Sequence, residues 1–244
     1  MFLYSIIKIM SLATIFFIII LFYSIILHEV AHGYAAYRNG DMTAYNAGRL
    51  TLNPFSHIDL IGSILVPLFS YLFLQIPFGW AKPVPYNPNN IKHKKYAELE
   101  VASAGVLTNL FIAFLAVFIF YILKYFSLIN ESGIVILQSI TSINIFLALF
   151  NSLPFPPADG FSIFTELLYH LKSFLLKIKN LFSKKKEFEV RYLNEEISFK
   201  NKVYRIKHLF SNPILMIFII ILAVNIFKFL VPGIVSFIIF LYSF

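Results

Sequence analysis

Long apolar stretches alternate with short polar segments along the 244 residues of the chain. A helix needs roughly 20 predominantly apolar residues to cross a lipid bilayer. The pattern therefore predicts an all-α polytopic membrane protein. Five stretches approach the required length, and an apolar tail follows them: about 9–37, 58–76, 100–123, 133–153 and 213–231, then 232–244.

The polar segments between these stretches are too short for a separate soluble domain, so we expect a single membrane-embedded domain over residues 1–244. Its core is predicted at about 9–165, followed by a basic cytoplasmic loop at 172–210 and one or two C-terminal membrane segments within 213–244. Residues 161–180 are amphipathic, which favours a helix lying in the membrane interface.

Composition supports lipid as the solvent of this chain. Apolar residues make up 59% of the sequence and charged residues 13%, against about 25% charged in a soluble domain. The net charge is +8, and eleven of the twenty Lys and Arg residues lie within 172–210, which indicates a cytoplasmic loop attracted to anionic lipid and not a nucleic-acid site. Cysteine is absent, which excludes disulfides, cysteine zinc sites and thiol catalysis.

The most specific motif is the pentapeptide from His28 to His32, HEVAH, near the end of the first apolar stretch. On a helix, His28 and His32 stack on one face at positions i and i+4, so that both imidazoles can bind one Zn²⁺ ion. Glu29 lies beside the metal, where a carboxylate serves as general base and acid. Ionisable residues within an apolar helix are costly and usually functional.

A catalytic zinc site needs a third protein ligand, and the chain holds three aspartates. Asp159 follows a proline-rich break in NSLPFPPADG, where a carboxylate suits a ligand, although an Asp-Gly turn at the membrane surface is the alternative. Asp41 is expected in a turn. His57 and Asp59 flank the second stretch, either near the site, with His57 a possible second-shell residue, or as caps at the interface.

Taken together, the ordered blocks HEVAH, GRLTLNPFSHID, FGWAKPVPYNP, AGVLTN and NSLPFPPADG resemble the site-2 protease family of intramembrane zinc metalloproteases. The resemblance covers about residues 20–165 and is to the compact bacterial branch without a PDZ or CBS domain. It implies a core of three spans plus a re-entrant or tilted segment, with short β elements near the active site.

The resemblance also implies roles for individual residues. His28, His32 and Asp159 would bind one zinc ion, and Glu29 would be the catalytic acid and base. Asn151 and Asn109 would support the substrate or the transition state, and Asn109 matches the asparagine of the family's AGPxxN motif. Val106 stands where that motif usually has proline, which bears on where the local helix begins.

The membrane path follows from the proposed ligands. The histidines lie late in the first stretch and Asp159 just beyond the fourth, so these two stretches must run in the same direction for the ligands to meet. Two stretches lie between them, and therefore one should not cross. Residues 58–76 are the weaker span because Gly62, Pro67 and Gln75 interrupt them. The zinc would then lie near the cytoplasmic face of a bacterial inner membrane.

These features predict a zinc-dependent intramembrane endopeptidase whose partners are lipid and membrane-protein or signal-peptide-remnant substrates. An unwound substrate would pair with an exposed strand at 79–86 or 43–52, and a plain surface loop is the alternative there. Trp80 would anchor at the interface. A metal transporter or metal-binding membrane protein without proteolytic activity is the competing function. The sequence does not predict the oligomeric state.

Overall fold

The computed structural model describes residues 12–74, 81–91, 96–179, 185–210, 215 and 231–243. These residues form helices and turns, and no β-strand occurs among them, so the prediction of an all-α protein is confirmed there and that of short β elements is not. Trp80 and most of the stretch at 213–231 lie outside them. The helices are α1 Leu12–Arg38, α2 Thr43–Asn46, α3 Val66–Leu74, α4 Ala97–Tyr125, α5 Glu131–Asn151, α6 Asp159–Lys179, α7 Lys185–Leu209 and α8 Val231–Ser243.

Three helices of the described chain, α1, α4 and α5, are long and apolar enough to cross a membrane. Their outward faces carry large apolar side chains, and Phe111 and Phe114 of α4 are 62% and 66% exposed. A continuous apolar surface of this kind is unfavourable in water and favourable in lipid. The structure is therefore consistent with a membrane protein.

The second apolar stretch is built differently. It begins with the π-helical turn Leu60–Leu65, of 6 residues, and continues into α3, of 9 residues. At about 1.5 Å per residue the described part of this helix is roughly 22 Å long. That residues 58–76 do not cross the membrane fully stays a prediction.

The chain divides into two compact units, one of Met1–Phe150 with Phe237–Phe244 and one of Asn151–Ser236. In the first unit, α1 packs along a seam of mostly small residues on α4. Small residues at this spacing let two helix backbones approach closely. The buried positions of α4 are Ala97, Val101, Gly105, Val106, Asn109, Ala113, Ala116 and Phe120.

The end of α8 belongs to the same unit and packs against α4 and α5. The Tyr121 hydroxyl donates to the carbonyl oxygen of Leu241 at 2.8 Å, and Tyr242 shares a 2.8 Å hydrogen bond with Thr141. The rings of Phe120 and Tyr242 lie 4.4 Å apart, centroid to centroid. The apolar tail is thus part of the helical core.

The second unit contains α6 and α7. The amphipathic stretch predicted at 161–180 is indeed a helix, and its place in the membrane interface stays a prediction. The stretch treated in the sequence as a basic loop contains α7, which pairs with α6 through an ion pair of 3.0 Å between Lys172 and Glu195. Tyr169 and Phe199 add a ring contact with centroids 6.0 Å apart.

Candidate metal centre

The two histidines of HEVAH lie side by side on α1, one helical turn apart. Their ring centroids are 4.8 Å apart and the rings are nearly perpendicular. The Nε2 atoms of His28 and His32 approach to 3.2 Å. The i, i+4 spacing therefore produces the convergence of imidazole nitrogens that the sequence predicts.

Each imidazole is held by a hydrogen bond at its other nitrogen. His32 Nδ1 lies 2.7 Å from the carbonyl oxygen of Val101, and His28 Nδ1 lies 2.6 Å from Oδ1 of Asn109. A carbonyl oxygen only accepts, so His32 donates from Nδ1 and, in the neutral ring, carries its lone pair on Nε2. Partners at the outer nitrogen of this kind orient histidines that bind metals.

The geometry of the two nitrogens fits a zinc ion. Zinc–nitrogen bonds of about 2.0–2.1 Å in a tetrahedral site place two ligand nitrogens about 3.3 Å apart, close to the 3.2 Å between the Nε2 atoms. The absence of a side chain at Gly105 leaves space beside the two nitrogens. A Cβ atom there would lie 2.5 Å from His28 Nε2 and closer still to His32 Nε2.

Glu29 follows His28 on α1, and its carboxylate is held in place. Its Oε2 atom accepts a hydrogen bond of 3.0 Å from the backbone N–H of Val84. Gly33, one turn further along α1, makes room for this contact, since a Cβ atom there would lie 2.6 Å from the Val84 side chain. The candidate general base is thereby positioned by the segment 81–91.

The segment 81–91 is extended and fastened by its own backbone. The N–H of Lys82 donates to the carbonyl oxygen of His57 at 2.9 Å, and Arg49 donates to the carbonyl oxygens of Lys82 and Pro83 at 2.8 and 3.3 Å. Donors at Lys82 and Val84 are thus used within the protein, and Pro83 has none. A substrate strand could not pair with these two N–H groups while they keep their present partners. Residues 79–80 of the predicted substrate-pairing edge at 79–86 lie outside the described chain.

The other predicted pairing edge, 43–52, begins as a helix. Residues Thr43–Asn46 form α2, and the N–H groups of Ala47, Gly48 and Arg49 bond back to carbonyl oxygens of residues 43–45. Backbone donors committed to a helical turn cannot pair with a substrate strand. The part of this edge that is open to pairing is therefore limited to its last residues.

Asp41 is fully buried and fastens the turn after α1 to the segment 81–91. Its carboxylate accepts hydrogen bonds from Asn87 N at 2.6 Å and from Asn90 Nδ2 at 3.0 Å, besides two from Thr43. Burial disfavours the charged carboxylate, but these hydrogen bonds outweigh it and hold the pKa of Asp41 below its ordinary value. Asp41 directly follows the turn formed by Asn39 and Gly40.

Asp59 and His57 have local partners. Asp59 Oδ1 accepts from Gly62 N at 2.6 Å and caps the π-helical turn. His57 is fully buried, its Nε2 donates to the carbonyl oxygen of Thr51 at 2.8 Å, and its Nδ1 has no hydrogen-bond partner in the described part of the protein. These contacts fix the fold around the segment 81–91, and the predicted second-shell role of His57 stays a prediction.

Asn151 and Asp159 belong to the second compact unit. Asn151 ends α5 and Asp159 begins α6, with turns and no regular helix between them, as three prolines predict. Gly160 allows the loop to fold back on itself, since a Cβ atom there would collide with the carbonyl group of Ser152. A carboxylate at a helix N-terminus is stabilised by the helix dipole.

The role of Asn109 in supporting the substrate or the transition state stays a prediction, and the structure shows its local partners. Asn109 is fully buried inside α4, and its Oδ1 lies against His28. Val106, which stands where the AGPxxN motif has proline, also lies inside α4, which begins nine positions earlier at Ala97. A proline in a helix interior would remove a backbone hydrogen bond, and valine keeps it.

The sequence did not predict a role near the histidines for three residues: Ser24, Gly105 and Asn144. Asn144 of α5 accepts from Asn109 and donates to Ser24 of α1, and Gly105 lies against both imidazoles. A polar residue inside an apolar helix was the available signal for Asn144. Nothing in the sequence shows which face of α4 meets α1, and Gly105 depends on that.

An HExxH pair whose imidazoles converge, with a held glutamate between them, is the donor arrangement of a zinc metalloprotease. The chain is 38% identical over 158 residues to "Putative zinc metalloprotease YwhC" of Bacillus subtilis (strain 168). The similarity covers 63% of this chain and 69% of that protein, and the chain belongs to the same family. No protein-family model and no solved structure matches the chain.

Proposed function

We propose that the protein is an intramembrane zinc endopeptidase that hydrolyses peptide bonds in or near transmembrane segments of other membrane proteins. The observation that carries the proposal is the 3.2 Å approach of two imidazole Nε2 atoms within a helix long and apolar enough to cross a membrane. A bilayer-spanning helix tolerates such groups at a high cost, which a catalytic metal site explains. The name of the Bacillus relative supports a zinc protease.

Each residue of the site has a defined task in this proposal. A bound zinc ion would lower the pKa of water and polarise the scissile carbonyl group. Glu29 would take a proton at its carboxylate and return it to the leaving amine. The 3.0 Å bond from Val84 supports this role, because it holds one carboxylate oxygen in place while the other remains for proton transfer. Asn151 would donate to the substrate or to the oxyanion.

Asp159 is proposed as the third ligand. Of the three aspartates, Asp41 has both carboxylate oxygens engaged with Thr43, Asn87 and Asn90, and Asp59 caps a helical turn. Both serve the local fold. Asp159 begins a helix after a proline-rich break, where a carboxylate can act without disturbing a helical ladder.

The proposed substrates are membrane-tethered proteins or signal-peptide remnants, because a site within apolar helices is reached from the bilayer. HEVAH lies in the second half of α1, so the site would be nearer one membrane face, and the basic residues of 172–210 favour the cytoplasmic face of a bacterial inner membrane. Lipid is the proposed environment throughout.

The direct test is peptide cleavage by the purified full chain in lipid vesicles with a helical membrane peptide and Zn²⁺. We expect cleavage by wild type, and loss of cleavage after chelation and in Glu29→Gln, which removes the proton acceptor and keeps the side-chain shape. Glu131→Gln is the matched control, because Glu131 is an exposed glutamate at the start of α5. It should cleave like wild type.

Two results would contradict the proposal. Cleavage that survives in Glu29→Gln would rule out this residue as the base. Stoichiometric zinc binding without cleavage of a broad set of membrane peptides would favour metal binding or transport. An Asp159→Ala variant that binds zinc as tightly as wild type would remove Asp159 from the ligand set while leaving the two histidines.

A further inference from the structure

A continuous row of buried polar side chains crosses α1, α4 and α5 behind the metal centre. Asn109 lies 2.6 Å from His28 and donates from Nδ2 to Oδ1 of Asn144 at 2.8 Å. Asn144 donates from its own Nδ2 to Ser24 Oγ at 3.0 Å and to the carbonyl oxygen of Ile140 at 2.8 Å. The four side chains are at most 6% exposed.

The carbonyl oxygen of Ile140, at one end of this row, determines which atom donates in each of its hydrogen bonds. The carbonyl oxygen of Ile140 belongs to the backbone of α5 and can only accept, so the side-chain atom of Asn144 that faces it must be the NH₂ group. The other side-chain atom of Asn144 is then the oxygen. It accepts from Asn109, whose NH₂ group must therefore point towards Asn144.

The orientation of the Asn109 amide in turn determines which atom faces the imidazole of His28. Once the NH₂ group of Asn109 is committed to Asn144, the oxygen of Asn109 faces His28 Nδ1. An oxygen acceptor requires a proton on Nδ1, and the neutral ring then carries its lone pair on Nε2. Nε2 is the atom that lies 3.2 Å from the corresponding atom of His32.

We propose that Asn144 is a positioning residue that, through Asn109, fixes the tautomer of His28 in the form that presents Nε2 to a metal ion. The inference rests on the proposed function for the use of that nitrogen, but the tautomer itself is a property of the metal-free protein. Asn144 acts at a distance from the metal and does not touch the substrate.

His32 provides an internal comparison. Its Nδ1 donates directly to the backbone carbonyl oxygen of Val101, which has a fixed polarity of its own. An asparagine side chain, in contrast, can turn over and exchange its oxygen and nitrogen. His28 therefore needs Asn144 to orient its asparagine partner, whereas His32 does not, and the two histidines should respond differently when Asn144 is replaced.

The test is nitrogen-15 NMR of the metal-free full chain with labelled histidine in lipid nanodiscs, which distinguishes a proton on Nδ1 from a proton on Nε2. In wild type we expect a proton on Nδ1 of both His28 and His32, with any further proton held between the two Nε2 atoms. This measurement needs no variant. A His28 without a proton on Nδ1, or with a mixture of protonated and unprotonated Nδ1, would overturn the inference outright.

Two replacements of Asn144 separate positioning from packing. Leucine removes the acceptor for Asn109, so His28 should become a mixture of tautomers while His32 keeps its signal. Aspartate retains an acceptor, so it should restore the single tautomer of His28. The control is Ser142→Ala on the same helix, which removes a comparable 2.7 Å bond to the carbonyl oxygen of Gln138 and should leave both histidines unchanged.

Zinc titration of the same samples gives a second readout. We expect Asn144→Leu to weaken Zn²⁺ binding about 10–100-fold, as loss of an outer partner of a ligand histidine does, and Asn144→Asp to bind more tightly than Asn144→Leu. A leucine variant with a single Nδ1–H tautomer at His28 would refute the inference. The inference would also be refuted if Asn144→Asp showed the same mixture of His28 tautomers as Asn144→Leu while the His32 signal was intact.

These outcomes separate the inference from the proposed function. The expected tautomers together with absence of peptide cleavage would leave Asn144 as a positioning residue of a metal site and would refute the protease. Cleavage by a protein in which the tautomer of His28 is independent of Asn144 would keep the protease and refute the inference. If Asn144→Leu does not fold, the His32 signal is lost as well, and the wild-type and aspartate spectra decide.

Discussion

Replacement of Gly105 by alanine is the sharpest test of the candidate metal centre, because it adds one methyl group at the two proposed ligand nitrogens. Gly105 lies inside α4, where alanine favours a helix over glycine by about 1 kcal/mol. The replacement should therefore not weaken the helix itself. Any loss of function must come from the space that the methyl group occupies.

The size of the clash follows from the structure. The new Cβ atom would lie 2.5 Å from His28 Nε2, whereas ordinary contact begins at 3.4 Å. The rings or the helices must therefore move by about 1 Å, several times the tolerance of about 0.2 Å for a zinc–ligand distance. Movement also stretches the 2.6 and 2.7 Å bonds that hold the two rings.

We expect Gly105→Ala to weaken Zn²⁺ binding by about 100-fold, or roughly 2.8 kcal/mol, and to abolish peptide cleavage at micromolar zinc. Competition titration with a zinc-binding dye measures the affinity, and circular dichroism checks the fold. Gly233→Ala in α8 is the matched control, since among the described residues its added Cβ would meet nothing within 4 Å beyond the local backbone. Zinc affinity equal to wild type in Gly105→Ala would show that the metal does not bind between these imidazoles.

Three further changes test other parts of the protein. Gly33→Ala should push the segment 81–91 from α1 and lower the cleavage rate roughly 10–100-fold through displacement of Glu29, while zinc titration stays at the wild-type value. Gly160→Ala should displace the loop before Asp159 and weaken zinc binding, and an unchanged zinc affinity would contradict the proposed third ligand. Asp41→Asn should cost roughly 1–3 kcal/mol in the free energy of unfolding near pH 7, measured by denaturation in detergent. Because the folded-state pKa of Asp41 is lowered, its stabilisation is present above the unfolded-state pKa of about 3.9 and is lost as pH falls through the folded-state pKa, so the variant should lack this acid-dependent loss.

The sequence predicts the helix that carries the two histidines because both features depend on local periodicity. An apolar run of sufficient length gives α1, and the i, i+4 spacing gives the convergence of His28 and His32. The amphipathic pattern likewise predicts α6, and the prolines predict the break before it. Each of these inferences uses residues that are neighbours along one element.

The contacts that complete the site depend on packing between elements distant in sequence, and periodicity does not specify them. Asn144 lies 120 positions from Ser24, and the Val84 amide reaches Glu29 from a segment without regular structure. The pairing strands predicted at 79–86 and 43–52 are not confirmed in the described chain. Side-chain acceptors and Arg49 use the backbone groups that a strand would offer to a neighbour.

The buried polar row has an energetic implication for function. Ser24, His28, Asn109 and Asn144 are at most 6% exposed within helices suited to lipid. Each such group loses its hydration, and its hydrogen bonds recover little beyond that loss. Apolar side chains of similar volume would pack these helices without the loss. A row of polar groups that ends at an imidazole nitrogen is therefore better explained by the orientation of that nitrogen than by stability of the fold.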